Sequence, residues 1–150
     1  ALAKADIAVT VLPSTDLYLM GRDHTHAVPR GVAPIHKLKA HGVRCSISTN
    51  NFLNPFTPFG DASLIRMANL YANVAQIGDQ QSLYDCFQMV SEDAAQILGL
   101  QSTIEVGQEA TFVAVDSESE PDAVATIASP LWGMKRGRFT FENPKAFLST

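Results

Sequence analysis

Two short apolar runs, Ile7-Ala8-Val9-Thr10-Val11-Leu12 and Val43-Arg44-Cys45-Ser46-Ile47-Ser48, bracket a helix-like stretch, and this order constrains the fold more than any other feature of the chain. The first run is β-branched and almost unbroken in its apolarity, as in a parallel strand covered on both faces. Between the runs, residues 14–31 show no sustained period and contain Gly21, Pro29 and Gly31, which predicts a long loop of the kind that often carries function. Residues 32–40 place Pro34 near a helix start and end at His41-Gly42, a helix stop. Strand, long loop, helix and strand make a βαβ unit, whose strands are parallel neighbours joined by a right-handed crossover. The leading ALAKAD reads as the end of a helix without an N-cap, so the chain is expected to begin in mid-fold.

Residues 49–61 mix turn formers with aromatics and predict a second functional loop. Leu64, Met67, Leu70, Tyr71, Val74 and Ile77 then recur at helical spacing up to Gly78-Asp79. Leu83, Cys86, Phe87 and Val90 repeat the pattern, with Ser82 and Asp85 placed as a capping-box variant. Ser91-Glu92-Asp93 opens a further short helix running to Gly99. Beyond Gln101, residues 103–106, a turn at 107–109 and residues 110–116 predict a β ribbon. An acidic exposed loop is expected at 116–122, a short helix at 123–128, and a hairpin of 131–135 with 139–141 about Arg136-Gly137-Arg138.

The 150 residues amount to one domain on the usual scale of roughly 100 to 200 residues. Eleven Lys and Arg stand against fifteen Asp and Glu, net charge −4, with no block of like charge, so no nucleic-acid partner is expected. No apolar run approaches the roughly 18 residues of a membrane span, and no basic leader precedes an apolar region; the expectation is a cytoplasmic protein without a membrane partner. Cys45 and Cys86 lack any paired spacing, which speaks against a disulfide framework or a thiolate zinc site and for buried free thiols. Dinucleotide, phosphate-loop, nucleophile-elbow and C-x-x-C motifs are missing, as are the H-x-E and P-C-x-x-C pieces of the small zinc deaminases.

Among candidate groups, His24 and His26 flank Thr25 after Asp23, and two imidazoles two apart on a strand can grip a metal from one face. Their setting in mid-loop without a third ligand nearby favours an exposed or loop-packing role instead. His36 and His41 belong to the predicted helix and its end. Thr49-Asn50-Asn51 follows a strand, where open and barrel α/β folds put working residues; a strand-end Asx turn is the equal alternative. Phe52, Phe56 and Phe59, interleaved with Pro55 and Pro58, can wall an apolar pocket or pack the loop onto the next helix. Trp132 reads as structural.

Taken in order, Val11-Leu12-Pro13, Leu17-Tyr18-Leu19-Met20-Gly21-Arg22, Arg30-Gly31-Val32-Ala33-Pro34, Gly42-Val43, Asn50-Asn51 and Asn54-Pro55-Phe56-Thr57-Pro58-Phe59-Gly60 resemble the last third of cytosine deaminase-like members of the metal-dependent amidohydrolase superfamily. Ala94-Ala95-Gln96-Ile97-Leu98-Gly99-Leu100 and Ile104-Glu105-Val106-Gly107-Gln108-Glu109-Ala110 continue the resemblance. It implies an α/β fold in which residues 1–100 are the last two βα units of a distorted (β/α)₈ TIM barrel, strands seven and eight, and residues 101–150 are part of its small β-sandwich domain. A whole barrel takes about 250 residues, so the chain is expected to be a portion of one.

The resemblance also implies a chemistry. Relatives use a divalent metal, zinc or iron, to make hydroxide from water and expel ammonia or an amine from a cyclic C–N centre. The superfamily's metal-binding H-x-H follows strand one, so His24-Thr25-His26 does not inherit that role; the other ligands are expected before Ala1, and the chain alone is expected to bind no metal. Asn50 stands at the position of the catalytic, metal-binding aspartate, with Asn51 beside it as a substrate-binding residue. Phe56 matches the aromatic that leans over the pyrimidine pocket, implying a planar, cytosine-like heterocycle as substrate. The expected function is thus a C–N hydrolase of deaminase type, inactive as this chain alone and associating with itself or with a missing N-terminal part. A non-catalytic binding module that kept the pocket is the alternative.

Overall fold

In the computed structural model, which describes residues 1–50, 52–100 and 103–144, β1 (Val9–Val11) and β2 (Cys45–Ile47) lie parallel, with Thr10 opposite Ser46. The βαβ expectation holds as to parallel pairing, but the strands are half as long as the apolar runs. Before β1, Asp6 adopts a left-handed conformation and its carboxylate and carbonyl are both held by Arg44, which draws the chain away from the ladder. Side chains alternate along a strand. Val11, Cys45 and Ile47 therefore enter the core, while the hydroxyls of Thr10 and Ser46 meet at 2.7 Å on the opposite face.

The first correction falls on the long loop. Pro13 does not merely end β1; it opens α1 (Pro13–Leu19). Proline suits the first helical turn because its missing N–H would have no partner there, and Asp16 in that turn favours the positive end of the helix dipole. The loop proper is 20–34, pinned at Gly21, where φ is +66° and an added Cβ would lie 2.7 Å from Val28.

α2 (Ile35–Ala40) ends as expected at His41 and Gly42, the latter at φ +78°. α3 (Leu64–Ala75) buries Met67, Ala68, Tyr71 and Ala72 at helical spacing, is capped by Ser63, and stops at Gln76 in the left-handed region. α4 (Gln80–Gln88) is capped by Asp79, whose carboxylate accepts from the Ser82 N–H at 2.9 Å, so the expected Ser82–Asp85 box is displaced by one turn. Ser91 precedes α5 (Glu92–Ile97), but its hydroxyl donates back to the Phe87 carbonyl at 2.8 Å and leaves the helix without a side-chain cap.

These helices and the two strands close around Ile35, Ile47, Tyr71, Cys86 and Met89, and α6 (Glu120–Thr126) adds Val124 to the same core. Asn69 on α3 donates to the Val124 carbonyl at 2.9 Å, fastening α6 down. Both cysteines are buried free thiols.

The second correction concerns the ribbon. Residues 103–106 form no strand; β3 (Phe112–Val115) pairs instead with β4 (Pro130–Lys135), which pairs with β5 (Arg138–Glu142), all antiparallel. Ile104 and Val106 find no strand to lie on and stay exposed. The β4–β5 hairpin turns through Arg136 and Gly137, both at positive φ, the backbone of a type I′ turn. The acidic stretch is only partly loop, because Glu120 and Asp122 occupy the first turn of α6, where acids are favoured and the Ser119 hydroxyl caps the helix. Among the described residues no helix is long and apolar enough to cross a membrane.

Candidate functional site

The last bond of the parallel ladder runs from the Ser48 N–H to the Val11 carbonyl at 2.9 Å. Beyond it, Thr49 and Asn50 leave β2 beside the first turn of α1. The Thr15 side chain, buried in that turn, donates to Asn50 Oδ1 at 3.5 Å and meets the Thr57 hydroxyl at 2.9 Å. Thr57 is buried as well, and its backbone forms a small two-way bridge with Asn54. Asn54 Oδ1 accepts from the N–H groups of Phe56 and Thr57 at 3.0 and 3.1 Å, an Asx turn that presents Phe56 at the loop tip.

Around this polar centre lies an apolar rim. Phe56 is 58% exposed and Phe59 67%, more than simple packing of the loop onto α3 would leave. The edge of Phe59 meets the Tyr18 ring at 5.9 Å, and the Arg22 guanidinium stands 4.6 Å over that same ring, joining the loops that follow β1 and β2. Leu53 holds φ +53°, an unfavourable conformation for a branched side chain and a mark of local strain in this loop. The Ser14 hydroxyl, next to Thr15, is buried without a hydrogen-bond partner among the described residues.

Of the residues expected at the site, Asn50 is thus brought against α1 and Phe56 sits at the rim of the same strand end; Asn51 lies outside the described residues. His24 and His26 are exposed in loop 20–34, with the Thr25 hydroxyl 3.4 Å from His26 Nδ1. His36 is tied to Tyr71, and burial, reinforced by Lys37, holds its pKa below the usual histidine value. Trp132 lies between Phe112, which it meets edge to face, and Phe139, which it meets at a tilt, in the antiparallel sheet. Tyr18, Arg22 and Thr57 lie within the stretches that carry the family resemblance, whereas Thr15 lies in none of them. The signal that could have found Thr15 was the proline at position 13, since a helix starting there turns Thr15 back toward the next strand's end.

Among the described residues no three His, Cys, Asp or Glu side chains converge on a point that could hold a metal ion. A carboxamide at position 50 and the exposed imidazoles of His24 and His26 do not fit a divalent ion by themselves.

Short parallel strands backed by helices, with polar groups gathered where the strands end, are an arrangement that α/β folds use for their binding sites. The chain belongs to the amidohydrolase family, whose model matches residues 1–139. It is 26% identical over 107 residues to the N-isopropylammelide isopropyl amidohydrolase of a Pseudomonas species, covering 70% of this chain and 27% of that protein. It is 30% identical over 100 residues to the pterin deaminase of Rhizobium rhizogenes, covering 65% of this chain and 22% of the relative. The structure of 5-methylcytosine deaminase from Klebsiella pneumoniae liganded with phosphonocytosine matches 99% of this chain and 37% of its own, with TM-score 0.87 and 21% identity. N-isopropylammelide isopropylaminohydrolase from Burkholderia multivorans follows the fold over 95% of this chain and 33% of its own, with TM-score 0.75 and 22% identity. The chain therefore spans about a quarter of the length of the curated relatives and about a third of the solved ones.

Proposed function

We propose that this chain works as part of a C–N hydrolase that deaminates a flat, cyclic nitrogenous substrate of the cytosine kind. The observation that carries the reading is the family match over residues 1–139. The deaminases among the relatives, one of pterin and one of 5-methylcytosine, support the choice of a heterocycle.

In this reading residues 1–100 supply the last two βα units of a TIM barrel and residues 101–150 part of a β-sandwich. The face carrying Thr10 and Ser46 would then be turned to the barrel interior, and the strand ends that carry Asn50 would open on the substrate. Phe56 gives a flat ring an apolar surface to lie on, and Asn51 a hydrogen-bonding neighbour. Asn50 takes the place of the family's aspartate. A carboxamide orients a substrate through hydrogen bonds but cannot take a proton from water near neutral pH, so proton transfer falls to groups other than Asn50. The zinc or iron of the family belongs to the larger assembly in this reading, and the chain alone is inactive, working with a second copy or with the remainder of a longer polypeptide. Buried free thiols at Cys45 and Cys86 accord with a reducing, cytoplasmic setting.

The test is ammonia release from cytosine, measured for the 150-residue chain and for the longest reading frame that contains it, with zinc, iron or manganese supplied. Release by the longer polypeptide alone is expected, falling about tenfold with Phe56→Ala. Turnover by the 150-residue chain alone would refute the partial role, and silence of both on cytosine-like rings would refute the deaminase reading.

A further inference from the structure

We infer that Thr15, backed by Thr57, is a positioning residue that fixes the side chain at position 50 by a directed pair of hydrogen bonds. The inference rests on the reading of Asn50 as a site residue, but its test does not. Three observations carry it. Thr15 Oγ1 donates to Asn50 Oδ1 at 3.5 Å. The hydroxyls of Thr15 and Thr57 lie 2.9 Å apart. Thr15 and Thr57 are only 9% and 2% exposed, so water does not compete freely for either hydroxyl.

A hydroxyl has one proton to give. Either hydroxyl of the 2.9 Å pair can donate; when Thr15 gives its proton to Asn50 Oδ1, Thr57 is the donor to Thr15, and the order Thr57 O–H, Thr15 O–H, Asn50 Oδ1 points one way. Each bond polarises the next, so the end of the chain is an acceptor-seeking proton aimed at position 50. Thr15 is held by the first turn of α1 and Thr57 by the Asx turn at Asn54, so neither depends on Asn50 for its place. The arrangement therefore offers a ready hydrogen bond to whatever oxygen stands at position 50. It orients a carboxamide, and it would stabilise a carboxylate in its charged form.

The carboxylate introduced by Asn50→Asp is the probe, because its titration reports the Thr15 proton directly. By pH titration of its NMR signal, Asn50→Asp with Thr15→Val should show a pKa about half a unit or more above that of Asn50→Asp alone. Asn50→Asp with Thr15→Ser should restore the lower value, since serine keeps the hydroxyl. Asn50→Asp with Thr57→Val should raise the pKa by a smaller amount without touching any atom of residue 50. A merely structural role for Thr15 would move thermal stability and leave the titration alone. If Thr15→Val fails to fold, the Thr57→Val variant decides. Equal pKa values across the folded variants would overturn the inference. Addition of cytosine to the longest polypeptide that contains this chain separates the two readings: ring signals of Phe56 that ignore it count against the pocket, whereas the titration series contains no ligand and still settles the relay.

Discussion

The phenol of Tyr71, carried by α3, caps the start of α2: its oxygen accepts the His36 N–H at 3.1 Å and lies 2.7 Å from His36 Nδ1. Pro34 occupies the N-cap of α2 and has no side chain able to accept from the first turn. A residue 35 positions away thus satisfies an end that the helix's own sequence leaves open. Tyr71 is wholly buried, and burial pushes its phenol pKa up, which keeps the hydroxyl protonated and able to serve Nδ1 as well.

Tyr71→Phe keeps the ring and removes the cap. Two polar groups of His36 then lose their partner in a part-buried setting, and the expected loss is about 1 kcal/mol. Urea denaturation of the two proteins measures it; a midpoint that does not move would mean that water replaces the phenol at no cost.

His36 should also give stability a pH dependence. Its folded pKa lies below the usual 6.5, first because of burial and then because of Lys37. The unfolded chain therefore takes up its proton at a higher pH than the folded one. This contribution to stability is complete above about pH 6.5 and declines as pH falls through that value toward the folded pKa. The slope of unfolding free energy against pH between about 7 and 5 should flatten in His36→Gln relative to the unsubstituted protein. An unchanged slope would assign the acid sensitivity to other groups.

Ser14 presents the reverse case, a buried hydroxyl with no partner among the described residues. Such a group lowers stability by its lost hydration, so Ser14→Ala is expected to be neutral or to raise stability by up to about 1 kcal/mol. A clear loss on calorimetric melting would reveal a hydrogen bond that Ser14 makes in solution.

Much of the fold was legible because period and punctuation agree in it. The spacing of Met67 and Tyr71 in α3, and of Leu83 and Cys86 in α4, is that of a buried helical face, and Gly42 and Gly137 mark chain reversals that need a left-handed residue. What escaped were contacts between distant segments. Nothing in the sequence around Thr15 announces Thr57, 42 residues on, nor does Pro34 announce Tyr71. Residues 103–106 show the opposite error: alternation of Ile104 and Val106 suits a strand, but the segment joins neither outer strand of the β3-β4-β5 sheet. The strand-end position of Asn50 could be read in advance; whether Phe56 projects or packs, and the hydroxyl pair beside Asn50, could not.

Gly133 is the position where the antiparallel sheet should prove least forgiving. It lies in the middle of β4, opposite Phe141 of β5, and a Cβ placed there would fall 2.4 Å from Phe141 Cε1 and 2.9 Å from its Cδ1. The ring covers the glycine, and a register shift beside it leaves the hairpin little freedom to slide. Gly133→Ala must push the ring outward or part the strands, at an expected cost of about 1–3 kcal/mol. Trp132, the only tryptophan, is the neighbouring residue and meets the tilted ring of Phe139 in the same hairpin at 5.7 Å, so its fluorescence reports the damage locally. The emission should shift and the sheet should melt before the helical core, as followed by far-ultraviolet circular dichroism. Coincident transitions at the temperature of the unsubstituted protein would show that Phe141 has another place to go.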